Sequence, residues 1–205
     1  MNVLVVCEGK HEYGTKEYDG ALVELTRRAM KFGAQLTHEK VSNTEVKSHC
    51  RSGKHKRYEK RAMGWIRYAR NHGFDALVLL VDQDGQQEVE TGIDNAQDNR
   101  TFSLPRAMGV AIRTFDAWML ADEQALTKAL GDTVQRQQAA ESIKDPKGVC
   151  ERLRDNSSQK MGLTKLYSQI AQTLDLDLLN ERCPRGFAPF RKRVQQLGSH
   201  PESTH

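Results

Sequence analysis

Two carboxylates that directly follow an apolar run could hold a metal ion. Residues 76–81 are aliphatic or small, and the run stops at Asp82-Gln83-Asp84-Gly85. A short run of this kind is typical of a buried parallel strand, and its carboxyl end lies where open α/β sheets bind ligands. Acids placed there repel each other unless a proton or cation neutralises them, and for oxygen ligands Mg²⁺ or Mn²⁺ is the suitable cation. Asp-x-Asp pairs also serve as plain loop caps, so both interpretations stay open at this point.

A third acid follows the first predicted strand. Val3 to Cys7 is a continuous apolar run that ends at Glu8-Gly9. Alternating strands and helices predict a parallel sheet, in which the ends of neighbouring strands lie close together. Glu8, Asp82 and Asp84 can therefore converge on one edge. Three carboxylates around one cation are harder to explain as loop caps, so the pattern predicts a metal site.

The elements that must position these acids follow from the hydrophobic periodicity. It predicts an α/β fold with a mostly parallel, Rossmann-like sheet of about four strands, flanked by helices and followed by a helical carboxyl-terminal half. Strands are expected at 1–7, 35–41 and 74–81 and within 104–115. Helices are expected at 17–32, 57–72, 116–130, 145–153, 163–174 and 189–197, while 86–100 is either a poorly packed helix or a surface excursion. A mobile loop is expected at 42–56, where apolar residues are nearly absent.

The domain prediction follows from the same pattern. Residues 1–205 form one domain, with an α/β core at 1–125, a helical extension at 126–198 and a flexible tail at 199–205. Mean hydropathy is −0.69, and no apolar run approaches the roughly 20 residues of a membrane span. Four cysteines without CxxC spacing argue against a zinc site and favour free thiols in the cytoplasm. No glycine-rich phosphate loop is present to indicate nucleotide binding.

Basic residues concentrate between positions 47 and 72. That segment has nine Lys or Arg and one acid, Glu59, so its net charge is about +8, whereas the whole chain carries +4. Such local asymmetry indicates a polyanionic partner, with the solvated face of a surface helix as the alternative. The candidate nucleic-acid-binding residues are Lys47, Arg51, Lys54, Lys56, Arg57, Lys60, Arg61 and Arg67.

At this point the sequence resembles a known family. Glu8-Gly9 after the first strand and Asp82-x-Asp84-Gly85 after a central strand resemble the Toprim signature, over approximately residues 2–120. This domain is shared by topoisomerases, bacterial primases and the OLD-family (overcoming lysogenization defect) nucleases. With further motifs, nearly the whole chain is similar to small stand-alone Toprim-like bacterial proteins of unknown function. Those motifs are Glu12, residues 115–122, Asp145-Pro146-Lys147 and Cys183-Pro184.

The resemblance implies metal-dependent hydrolysis of phosphodiesters. It gives Glu8 the role of general acid or base and makes Asp82 and Asp84 ligands of Mg²⁺ or Mn²⁺. OLD-type nucleases use additional acids for a second ion, and the candidates here are Glu12 and Asp116, so one or two ions are expected. Two ions suit this reaction because they activate a water molecule and stabilise the leaving oxygen.

Asp116 and the candidate lysines could also have ordinary structural roles in place of catalytic ones. Asp116 stands where the Toprim-like family usually has Glu, and a carboxylate at a helix amino terminus is also stabilised by the helix dipole. A lysine that neutralises charge at the phosphorus is expected, and Lys147 and Lys160 are the candidates. An unspecialised surface lysine is the alternative for both positions.

The expected function is therefore that of a cytoplasmic Toprim-type nuclease. Its substrate is expected to be nucleic acid, DNA rather than RNA, and family resemblance suggests defence against phage or plasmids beside a partner ATPase. The alternative is a non-catalytic Toprim-like subunit that binds nucleic acid or regulates. No membrane association is expected, and a homo-oligomer is among the states that the sequence leaves open.

Overall fold

A single parallel sheet organises the chain. In a computed structural model, the structure is described for residues 1–15, 17–39, 46, 57–137 and 139–199. The sheet has the strand order β2-β1-β3-β4. Its strands are β1 (Asn2–Cys7), β2 (Gln35–His38), β3 (Ala76–Asp82) and β4 (Arg106–Ala111), and every pairing is parallel. The predicted parallel α/β sheet of about four strands is confirmed.

Helices flank this sheet and make up the carboxyl-terminal half, as predicted. They are α1 (Lys10–Tyr13), α2 (Ala21–Ala29), α3 (Arg57–Asn71), α4 (Glu88–Asp98), α5 (Asp116–Met119), α6 (Glu123–Leu130), α7 (Pro146–Asn156), α8 (Leu163–Thr173), α9 (Leu176–Arg182) and α10 (Phe187–Gln196). Short 3₁₀ turns lie at Ala140–Ser142 and Leu197–Ser199. Within the described ranges, no helix is both long and apolar enough to cross a membrane.

Alternate side chains of the buried strands supply two apolar layers. Val3 and Val5 of β1 face a cluster that contains α2 and the carboxyl-terminal helices, whereas Leu4 and Val6 face a cluster built with α3 and α4. Burial on both faces explains why β1 and β3 are continuous apolar runs. The sheet is therefore the middle layer of three.

The helical half is built into one of these layers. Phe190 of α10 is fully buried against Gly109 of β4, and Arg193 donates a hydrogen bond to the Met108 carbonyl at 2.8 Å. Helix α8 packs on α2, and its Tyr167 and Ile170 belong to the same apolar cluster as Val3. The extension thus shares its core with the sheet.

Several boundaries differ from the prediction for local reasons. The helix expected from residue 17 begins at Ala21, since Gly14 (φ 88°) forms an isolated antiparallel bridge with Asp19 after the unpredicted α1. The helix expected over 116–130 is interrupted, because Asp122 caps α6 by accepting hydrogen bonds from the N–H groups of Gln124 and Ala125. Helix α4 settles the alternatives for 86–100, and α9 was not predicted.

Two other predictions fall largely on residues outside the described ranges. The loop expected at 42–56 has only Val46 among the residues that the structure describes. Of the tail expected at 199–205, only Ser199 is described, and it ends a 3₁₀ turn. The loop and the remainder of the tail therefore stay predictions.

The strand order places a crevice between β1 and β3. From β1 the chain passes through α2 on one face to β2, and from β3 it passes through α4 on the other face to β4. Connections that leave neighbouring strands on opposite faces of an open α/β sheet create an opening at the carboxyl ends of the central strands. Ligands bind in this opening. Glu8 and Asp82 stand at those two strand ends.

The contact between α10 and β4 yields a stability prediction. A Cβ atom at Gly109 would lie 2.6 Å from Phe190 Cδ2, so Gly109→Ala must displace α10. We expect a decrease of about 1–3 kcal/mol in the free energy of unfolding, measured by urea denaturation. Gly33→Ala is the control because a Cβ there meets open space. Equal stability of the two variants would contradict the packing.

Candidate functional site

Glu8 and Asp82, the acids predicted at the two strand ends, are neighbours in the structure. Glu8 follows β1, Asp82 is the last residue of β3, and Cys7 lies opposite Leu80 in the pairing of these strands. Glu8 Oε2 accepts a hydrogen bond from the Asp82 N–H at 3.4 Å. The side chain of Glu8 therefore reaches across the crevice to the end of β3.

Asp82 in turn positions the next acid. Its Oδ1 accepts a hydrogen bond from the Phe115 N–H at 2.8 Å, which ties the end of β3 to the start of α5. Asp116, the first residue of α5, is buried, and its Oδ1 accepts a hydrogen bond from the Tyr167 hydroxyl. No side-chain cap is formed at the amino end of α5. The Asp116 carboxylate is therefore engaged by Tyr167 and makes no capping hydrogen bond.

Glu12 is the most deeply placed acid at this edge. It lies on α1 with 6% of its surface exposed, and its Oε2 is buried with no hydrogen-bond partner in the described part of the chain. The carboxylate lies over Gly9, where any Cβ atom would overlap it. Glycine is needed at position 9 for space, since its φ of −87° suits any residue. A buried carboxylate oxygen without a partner is energetically costly.

Electrostatic coupling joins these acids into one group. Burial raises the pKa of Glu12 to about 7, and the charges of Asp116 and Glu8 contribute to that rise. Burial also raises the pKa of Asp82 to about 8, with added repulsion from Glu12, Asp84 and Asp116 and a lowering by the Phe115 N–H. We call Glu8, Glu12, Asp82, Asp84 and Asp116 the acid cluster. Burial and mutual repulsion raise the pKa values of Glu12 and Asp82 enough for these two acids to retain protons near neutral pH, and a bound cation would be the alternative remedy.

Asp84 completes the cluster from its exposed side. It has φ 47°, and Gly85 has φ 75°, so the chain turns sharply after β3. The Asp84 N–H donates to the Arg113 carbonyl at 3.0 Å, which fixes the turn against the loop after β4. Among the residues that the structure describes, no three His, Cys, Asp or Glu side chains are already arranged to hold a metal ion. The members of the acid cluster interact electrostatically, but they do not form a preformed coordination shell.

The two candidate lysines lie on the helical half. Lys147 is exposed in the first turn of α7. Lys160 is exposed, and its Nζ donates to the Asp155 carbonyl near the end of α7 at 3.0 Å. A contact of this kind suits a lysine that caps a helix end. Their predicted roles at the phosphorus stay predictions.

Half of the predicted nucleic-acid-binding residues are described, and these lie on α3. Lys47, Arg51, Lys54 and Lys56 fall outside the described ranges. The guanidinium of Arg57 lies 5.7 Å from the centre of the Tyr58 ring, and that of Arg67 lies 5.2 Å from the centre of the Phe102 ring. Lys60 and Arg61 are partly exposed on the same helix, whose opposite side is buried.

Arg61 connects this basic helix to the acid cluster. Its Nη1 forms an ion pair with Glu8 Oε1, with side-chain exposures of 37% for Arg61 and 27% for Glu8. A partly exposed pair of this kind contributes only about 0–1 kcal/mol. The ion pair therefore adds little stability, and its main consequence is positional. It places the predicted phosphate-binding helix at the rim of the acid cluster.

Two residues of this region were not predicted as site residues. Tyr167 bonds to Asp116, and His11 Nδ1 lies 2.9 Å from Thr164 Oγ1 and packs edge-on against the Tyr167 ring. In the sequence, Tyr167 occupies an apolar position of an amphipathic helix, and that pattern also fits an ordinary core residue. Only the packing of α8 on α1 distinguishes these residues.

The raised pKa values predict how stability depends on pH in the metal-free protein. Folded Glu12 and Asp82 hold protons that their unfolded forms release above about pH 4–5. The free energy of unfolding should therefore fall by several kcal/mol as pH rises from about 5 to 8, since each pKa unit corresponds to roughly 1.4 kcal/mol. Urea denaturation in the presence of EDTA across this range measures it.

Amide variants separate the acid cluster from the other titrating groups. Asp82→Asn keeps an oxygen for the Phe115 N–H and should flatten the pH slope, and Glu12→Gln should do the same. Glu88→Gln, which removes an exposed acid on α4, should leave the slope unchanged. Wild-type stability that stays constant from pH 5 to 8 would contradict the electrostatic coupling.

Comparison with known proteins found no relative of this chain. The scan against protein-family models, the search of the curated proteins and the search of the solved structures each found no match. The Toprim resemblance therefore depends on the sequence motifs alone. Function has to be argued from the acid cluster and the helices around it.

Proposed function

We propose that this protein is a divalent-metal-dependent phosphodiesterase that acts on nucleic acid, a nuclease of Toprim type. The observation that carries the proposal is the buried Oε2 of Glu12, which has no hydrogen-bond partner in the described part of the chain yet interacts with the charges of Glu8, Asp82 and Asp116. A carboxylate network that served only the fold would be expected to satisfy its buried oxygens. In this network one buried carboxylate oxygen is unsatisfied, and a bound cation would stabilise it.

The donor set of the acid cluster fits Mg²⁺ or Mn²⁺. Its groups are all carboxylate oxygens, which these ions prefer, and their repulsion would be offset by a double positive charge. Asp82 and Asp84 would hold one ion, and Glu12 with Asp116 would support a second. When bound, such an ion supplies Lewis acidity and lowers the pKa of a coordinated water.

The remaining residues would then handle the proton and the substrate. Water would add to the phosphorus, its proton would pass to Glu8, and the bond to the leaving sugar oxygen would break as that oxygen took a proton from solvent water. Arg61 adjoins Glu8, so a phosphate that arrives along α3 meets a cation at the rim of the site. Basic residues that contact the backbone position the strand without reading its sequence.

The ion pair between Arg61 and Glu8 favours one alternative function. A proton-transfer residue that is held by a guanidinium also suits a non-catalytic subunit, in which the site serves binding or regulation. Action in the cytoplasm, a role in defence against phage or plasmids and a partner ATPase extend the main proposal. Their support is the Toprim resemblance of the sequence.

Plasmid cleavage tests the catalytic proposal. With Mg²⁺ or Mn²⁺, the wild-type protein should nick supercoiled plasmid, and Asp82→Ala and Glu8→Ala should each reduce the rate by at least about 100-fold, since they remove a ligand and the proton acceptor. Gel densitometry over time gives the rates.

Glu88→Ala is the matched control, because it removes an exposed acid from α4. It should nick at the wild-type rate. Equal nicking by all four proteins would indicate contamination and remove the nuclease proposal. Plasmid binding without nicking by any of them, in either metal, would leave the non-catalytic alternative standing.

The basic residues between positions 47 and 72 lead to a separate prediction about nucleic-acid binding. Replacing Lys54, Lys56, Arg57 and Lys60 by Ala should weaken nucleic-acid binding and flatten its salt dependence. The log–log slope should decrease by roughly 0.9 for each phosphate that is no longer bound. Fluorescence anisotropy with a labelled duplex at several salt concentrations measures the slope.

A control with the same change in net charge replaces exposed basic residues elsewhere, Lys31, Lys128, Arg152 and Lys192. It should retain the wild-type slope, because the interactions with phosphate are local and not a property of total charge. Equal slopes for both quadruple variants would mean that the segment is only a solvated face.

A further inference from the structure

Helices of the carboxyl-terminal half hold Asp116 from two directions. The hydroxyl of Tyr167, on α8, donates to Asp116 Oδ1, and the thiol of Cys150, on α7, lies 3.7 Å from the Asp116 carbonyl. Tyr167 and Cys150 are both fully buried. An acid that follows β4 is thus fixed by side chains more than 30 residues further along the chain.

The same helix also contacts the element that carries Glu12. Thr164, one turn before Tyr167 on α8, hydrogen-bonds His11 of α1 at 2.9 Å. The His11 ring meets the Tyr167 ring edge-on, with centroids 6.0 Å apart. Helix α8 therefore adjoins both segments that bring a buried acid to the cluster.

The choice of partner for Tyr167 is informative. A buried tyrosine needs an acceptor for its hydroxyl, and a backbone carbonyl can serve, as it does for the partly buried Tyr13, which donates to the Cys7 carbonyl. Tyr167 instead donates to a carboxylate of the acid cluster. A phenol is neutral at neutral pH and remains a donor. It constrains Asp116 without adding charge to a crowded site.

We propose that Tyr167 is a positioning residue for Asp116, which makes the helical half part of the metal centre and not only a support of the fold. The inference rests on the proposed function. The phenol fixes the rotamer of Asp116 through Oδ1 and leaves Oδ2 to serve as the ligand. Hydrogen bonds to metal-binding side chains from such outer partners typically change metal affinity 10–100-fold.

Calorimetric titration of the full chain with Mn²⁺ at constant pH tests the inference without depending on turnover. Tyr167→Phe keeps the ring and removes only the donor, and it should weaken Mn²⁺ binding by about 10-fold or more. Tyr68→Phe is the matched control. Tyr68 is also a buried tyrosine whose hydroxyl donates to a carboxylate, that of Glu39 at 2.5 Å, outside the acid cluster. It should bind Mn²⁺ like the wild type.

A double-mutant cycle shows whether Tyr167 acts through Asp116. Asp116→Asn alone should weaken Mn²⁺ binding, and adding Tyr167→Phe to it should weaken binding little further, because the positioned ligand is already gone. This comparison also serves if Tyr167→Phe alone fails to fold, since the double variant leaves no buried charge without its donor. A substantial further decrease of affinity in the double variant would overturn the inference.

The outcomes separate the two proposals. Wild-type binding with equal affinity in Tyr167→Phe overturns the positioning role and leaves the metal site standing. No binding of Mn²⁺ by the wild type overturns the metal site, and the inference with it. Both proposals are supported by weaker binding in Tyr167→Phe, wild-type binding in Tyr68→Phe and no added effect of Tyr167→Phe when Asp116→Asn is already present.

Discussion

The burial of carboxylates close to one another is the constraint on which the site depends. The strand order puts the carboxyl ends of β1 and β3 side by side, and both ends carry an acid. Glu12 and Asp116 join them from α1 and α5, so burial and neighbouring charge act in the same direction. Charge in such a place destabilises the fold unless something neutralises it. The role of each element around the crevice follows from the group with which it stabilises that charge.

Three of the acids have specific partners, and each partner belongs to a different element. Arg61 of α3 pairs with Glu8, the Phe115 N–H before α5 donates to Asp82, and Tyr167 of α8 donates to Asp116. Two of these partners come from opposite faces of the sheet, since α3 and α8 belong to different apolar clusters. The site thus depends on both outer layers, and the sheet edge alone does not build it.

The sequence predicted those features that depend on local pattern. Continuous apolar runs located β1 and β3, and the acids that follow them located the edge of the sheet. Local pattern failed where one residue decided a boundary, as Asp122 does by capping α6 inside an expected single helix. It also could not identify Tyr167 as a site residue, because its hydroxyl meets Asp116 only through packing between segments 51 residues apart. Helical periodicity specifies which face is buried but not which polar atom that face meets.

The distribution of partners indicates where a cation would act. Glu8 lies at the rim, where water and a guanidinium already stabilise its charge, so little is gained there by a further cation. Glu12 lies inside, with its Oε2 unpartnered among the described residues and its pKa raised to about 7. Neutralisation is worth most where hydration is least. A divalent ion would therefore gain most beside Glu12, Asp82 and Asp116, and Arg61 would remain at the rim, next to the path of the proposed phosphate substrate.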